Sequence, residues 1–139
     1  MGKLRHNLWR RVLLATIATT LLISFAAVPA MAADMRSGSN ITVSKGDVVN
    51  DDLYVAAGTV VVDGTINGDL FAAGGSVTVN GTVNGGIIVA GGTVLINGIV
   101  TGSVRAVAGS IRMGGEVGGD AMLFGNSLEM SSAAVVNSD

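Results

Sequence analysis

The sequence predicts an all-β, single-domain fold: a parallel β-solenoid of about six coils, each 17 residues long. Three observations carry this expectation. A pattern opening with Thr59-Val60-Val61-Val62-Asp63-Gly64 restarts at Ser76, Thr93, Ser110 and Ser127, an offset of 17 residues with no insertion up to Asn126. Within each repeat, apolar residues alternate with period two, as in a strand with one buried face. Glycine and asparagine recur at fixed points between these runs, in a chain holding 21 glycines and one proline. Antiparallel hairpins also use Asn-Gly turns, but they do not predict the same residue types at a constant offset. Stacked coils do, because each side chain lies over its equivalent about 4.8 Å away.

The chain opens on a different kind of segment. Lys3, Arg5, Arg10 and Arg11 precede an apolar run from Val12 to Val28, and Pro29-Ala30-Met31-Ala32 ends in small residues. This is the layout of a secretory signal peptide, residues 1–32, with cleavage after Ala32. An uncleaved anchor is the alternative, since the apolar run is only just long enough to span a bilayer. Either way the remainder is exported: periplasmic, extracellular or attached to the cell envelope. Cleavage leaves four basic residues against ten acidic ones, taking the net charge from −2 to −6. An acidic exported domain is a poor candidate for nucleic-acid binding.

Residues 33–40 read as a polar linker and 41–139 as the solenoid domain. The first repeat is irregular: Ile41-Thr42-Val43 matches Val60-Val61-Val62 at an offset of 19, and Val49-Asn50 matches Ile66-Asn67 at 17. Two extra residues therefore sit in the Ser44–Asp47 corner. From Thr59 onward the columns are clean. Val60, Val77, Val94, Ile111 and Leu128 form one inward column, and Val62, Val79, Ile96, Met113 and Met130 a second. A corner follows at Asp63-Gly64, Asn80-Gly81 and Asn97-Gly98, then a short side centred on Ile66, Val83, Val100 and Val117. After a second corner, a third side points Leu70, Ile87, Val104 and Ala121 inward, and a third corner at Gly74-Gly75 and Gly91-Gly92 closes the coil. Three short strands and three corners per coil are expected, with Gly and Asn serving corners that need positive φ. In the last coil Ser127 to Met130 keeps register, and Asp139 matches Asp120 only if two residues are inserted.

The unit Val-x-Val-Asn-Gly-x-Val-Asn-Gly-(Asp/Gly)-(Leu/Ile), over residues 41–130, resembles that of the bactofilins, the polymer-forming cytoskeletal proteins of bacteria. The resemblance implies a right-handed parallel β-helix that assembles end to end into filaments without nucleotide. Bactofilins are typically cytoplasmic, with disordered tails flanking the helix; here a signal peptide stands in place of the first tail.

Chemistry has little to work with. His6 and Trp9 fall in the leader and cysteine is absent, so the exported part has no His or Cys for a triad or a metal site. No cofactor and no metal are expected, and the chain is expected not to be an enzyme. Asp52, Asp69 and Asp120 share a column interrupted by Gly86 and Ser103, which reads as a solvated strand edge more readily than as a paired-carboxylate hydrolase site. Asp63 to Asp69 mimics the start of a calcium loop, but Gly74 occupies the place of the bidentate Glu. The Asn67/Asn84 and Asn80/Asn97 pairs read as stacked corners, with sugar ligation as the alternative.

The expected function is therefore structural: a cell-envelope solenoid whose partner is itself, joined end to end through Ile41, Val43, Leu128 and Met130. Neither end shows a polar cap in this reading. An outward stripe of Tyr54, Phe71, Ile88 and Met122, interrupted by Arg105 and joined by Val61 and Leu95 on another side, offers an apolar face for lateral association or for membrane or envelope contact. A glycan-binding or adhesive module is the alternative, and a carbohydrate-active β-helix enzyme a more distant one.

Overall fold

A computed structural model describes residues 33–131 and 134–137. The expected leader and its cleavage site lie outside these residues. Six long strands, β1 (Asp34–Val43), β3 (Leu53–Val62), β5 (Leu70–Val79), β7 (Ile87–Ile96), β9 (Val104–Met113) and β11 (Ala121–Met130), alternate with short ones. The short strands are β2 (Val48–Val49), β4 (Thr65–Ile66), β6 (Thr82–Val83), β8 (Ile99–Val100), β10 (Glu116–Val117) and β12 (Val135–Val136). The long strands form one six-stranded sheet in sequence order, the short strands a second, and every pairing is parallel. This is the stacked-coil solenoid. From β3 to β11 the register advances by the repeat, with Val60 paired to Val77, Val77 to Val94, Val94 to Ile111 and Ile111 to Leu128.

The coil has two strands where three were expected. The third and first sides are one strand that bends at the corner, where a single pair, Gly75 on Gly92, is missing from the ladder. Leu70 and Ala72 point inward before the bend, Val77 and Val79 after it, so the inward parity switches across Gly74-Gly75. Each coil bends at the same place, so pairing resumes beyond the corner with Ser76 on Thr93, and the sheet folds as a unit.

One core runs along the axis. Leu53, Leu70, Ile87 and Val104 are at most 1% exposed, as are Ile66, Val83, Val100 and Val117 on the short side. No polar or charged side chain is buried among the described residues. Backbone groups are met from coil to coil. At the first corner two consecutive N–H groups, those of Asn80 and Gly81, donate to the carbonyl of Val62 in the coil before, at 2.8 and 2.9 Å. Asn97 with Gly98, and Gly114 with Gly115, repeat this one coil further each time.

The corner glycines serve a purpose other than the expected one. Among the described residues only Gly46 has positive φ, at 94°. At Gly98 a Cβ would instead overlap the carbonyl oxygen of Gly81 one coil below, and at Gly81 that of Gly64. Close stacking of backbones is what excludes a side chain there.

Both terminal coils widen the first corner by two residues. β1 meets β3 at an offset of 19, and β12 meets β10 at 19 as well. A hydrogen bond between residues three apart spans each widened corner: Asp47 N–H donates to Ser44 O at 3.0 Å, and Ala134 N–H to Ser131 O at 2.9 Å. The stretch expected to be a linker is not one. Residues 34–40 form the front of β1, paired from Asp34 on Leu53 to Asn40 on Thr59. Ladder pairing uses main-chain groups, so polar side chains do not prevent it.

Candidate functional site

A small recess with polar groups, about 200 Å³ beside Asp69, Ser103 and Arg105, holds no pair of carboxylates and no His or Cys among the described residues. The candidate sites are two surfaces, the coil ends and one outer face, together with three polar ladders.

The ladders form because coils stack in register. Asn67 Nδ2 donates to Asn50 Oδ1, and Asn84 Nδ2 to Asn67 Oδ1, both at 2.8 Å. At the other corner Asn80 Nδ2 donates to Asp63 Oδ1 at 2.8 Å, and Asn97 Nδ2 to Asn80 Oδ1 at 3.0 Å. These amides satisfy one another along the axis. The aspartate column is engaged in a similar way: Asp69 N–H donates to Asp52 Oδ1 at 2.8 Å, and Gly86 N–H to Asp69 Oδ1 at 2.7 Å. Gly86 has no side chain to continue the series, and one coil further Ser103 Oγ accepts from Asp120 N–H at 3.2 Å. Each side chain caps a backbone N–H one coil on, so these carboxylates hold the corner together. Asp63 and Asp69 lie on different corners, with inward Ile66 between them. No group of three acidic, His or Cys residues among the described ones could hold a metal ion.

The two ends of the coil stack differ. In β11 the residues that continue the inward columns carry no further coil among the described residues. Leu128 is 49% and Met130 57% exposed, and Leu123 and Ala121 are half-buried. At the β1 end Val43 is buried and Ile41 half-buried, so of the four residues expected at the contact only Leu128 and Met130 stand open.

The β1 end also carries a cap that the sequence reading missed. Asp34 and Arg36 pair with Leu53 and Val55, and so occupy inward columns. Arg36 Nη2 donates to Asp34 Oδ2 at 2.6 Å and Nε to Oδ1 at 3.1 Å. The Arg36 hydrogen bond holds the Asp34 carboxyl below its ordinary range, and Asp34 raises Arg36 in return. Inward-pointing charge on an edge strand is a recognised way to discourage further pairing. Extending the 19-residue offset back from Ile41 would have placed both charges over the core.

On the outer face of the third side, Tyr54, Phe71, Ile88, Arg105 and Met122 follow one another in register as a ridge. The Tyr54 and Phe71 rings stack at 4.5 Å and 1°. That contact leaves Phe71 half-buried, while Ile88 and Met122 are exposed. Val61 and Leu95 are half-buried on the other side and do not extend the stripe. Two residues further along each strand, Ala56, Ala73 and Ala90 form a floor of small side chains, closed at one end by Val107 and Phe124. Ridge and floor enclose an apolar trough of about 610 Å³. The alanine column, read only as part of the alternation, was legible as a run of small residues at the repeat offset.

The fold and these surfaces define the chain as a parallel β-solenoid protein of about six coils. No family model, curated protein or solved structure matches it.

Proposed function

We propose that this chain is a non-enzymatic structural solenoid of the bacterial cell envelope that associates end to end with copies of itself. The observation that carries the reading is the exposed apolar edge of β11. Its equivalents in the coil below, Ile111 and Met113, are 0% and 1% exposed because another coil lies on them. Leu128 and Met130 stand where the same cover is needed. A second copy supplies it, together with strand partners for an edge that is otherwise a template for pairing. The resemblance of the repeat to the bactofilins supports the same reading. The leader-like residues 1–32 support an exported location, and cell fractionation should find the protein outside the cytoplasm.

Leu128→Arg tests the contact. Wild-type protein should sediment as polymers that electron microscopy shows as filaments. The variant should shorten them at least several-fold while circular dichroism stays unchanged, because the residue lies on the open edge. Wild-type protein that stays monomeric at high concentration overturns the reading and moves a glycan-binding module ahead of it.

A further inference from the structure

We infer that the ridge and trough on the outer face of the third side form a lateral contact between copies of this chain, the ridge of each seated in the trough of the other. The inference extends the end-to-end reading and rests on it.

Ridge and trough run side by side, two residues apart on β3, β5 and β7. A two-fold axis between them, parallel to the solenoid, turns each ridge onto the partner's trough at the same coil. Phe71 then faces Ala73 of the partner subunit, Tyr54 faces the partner's Ala56, and Ile88 faces the partner's Ala90. Large over small at these three levels is how apolar layers interdigitate, and sheets packed in this way stand about 10 Å apart; at the closed end Met122 meets the partner's Phe124 and Arg105 the partner's Val107. The perpendicular two-fold axis puts ridge on ridge and leaves both troughs empty.

Charge argues against a lipid occupant. The Asp52, Asp69 and Asp120 column borders the ridge and is exposed or half-buried along its length. The anionic lipids of a membrane surface attract basic segments, and here three aspartates along the border outnumber the one arginine of the ridge, Arg105. An apolar face of a second copy avoids opposing that charge, because across the two-fold axis the aspartate column falls opposite the partner's glycine bend.

Area sets the strength. Six strands about 4.8 Å apart, contacting over roughly four residues each, give a face of about 400 Å². That is near half of the ~800 Å² per partner in a stable complex. Two single solenoids should therefore pair weakly. End-to-end stacks carry many such faces on one particle, and the contacts act together. Lateral pairing is expected to appear once filaments form.

The chain contains no cysteine, so disulfide mapping can test the arrangement with the protein purified as the cell processes it. Phe71→Cys and Ala73→Cys chains, mixed and oxidised, should give covalent dimers at least several-fold above either chain alone. Phe71→Cys mixed with Ile88→Cys reports the ridge-on-ridge arrangement and should not exceed background. Ala73→Arg, on an exposed floor position, should leave filaments of single width. Equal cross-linking in both mixtures, or paired filaments that persist in Ala73→Arg, overturns the inference. So does flotation with phosphatidylglycerol vesicles that Ala73→Arg abolishes, which would assign the face to a membrane. Absence of any filament removes the end-to-end reading instead. Specific covalent dimers between the Phe71→Cys and Ala73→Cys chains at high concentration would still support the lateral contact.

Discussion

At Gly98, the difference between a hydrogen and a methyl group sets how closely two coils can stack. A Cβ there meets the Gly81 carbonyl oxygen, which belongs to a backbone fixed by its own ladder and cannot retreat. Gly46 has the opposite problem, with free space around it but φ at 94°. Gly46→Ala should cost about 1 kcal/mol, the ordinary penalty for a left-handed residue with a Cβ. Gly98→Ala should cost more, on the order of 3 kcal/mol, because the overlap has no flexible side chain to absorb it. Urea denaturation of the two variants checks the order, and equal losses would mean that the corners relax. The sequence made both positions visible as glycines. It could not show that one is required by torsion and the other by proximity, because proximity depends on a coil 17 residues away.

At the level of the strand, β1 is where sequence expectation and structure part. Its inward positions carry Asp34 and Arg36 on one half and Ile41 and Val43 on the other. The charged half reads as linker when composition is weighed before register. The apolar half is legible because Ile41 and Val43 keep the alternation. The bend inside the long strands is hidden for a different reason: a glycine pair reads as a break, whereas here the strand continues through it with one pairing skipped. The ion pair is expected to restrain association at this edge, since closing a second coil over it removes two charges from water. Asp34→Leu combined with Arg36→Val should lengthen polymers and raise the sedimenting fraction several-fold at equal concentration. Unchanged lengths would show that the ion pair does not restrain growth at this edge.

For the whole molecule, the repeat offset was the most legible property, and it delivered the solenoid, its core columns and its coil number. The surfaces were less legible, because exposure depends on which neighbour a coil has. Met113 and Met130 are the same residue in the same column, yet one is 1% and the other 57% exposed. The uninterrupted register from Thr59 to Asn126 also bears on inheritance. Removing Ser76–Gly92 joins Gly75 to Thr93, and every inward residue above the junction meets a suitable one below it. Such a variant should fold, with its contour shorter by about 4.8 Å and a cooperative melt; deletion of ten residues at the same place should abolish that melt. In a quasi-one-dimensional fold, each coil interacts only with its neighbours. Replication slippage by one repeat therefore changes the length of the product without disturbing its core, and length becomes a trait that selection can adjust one coil at a time.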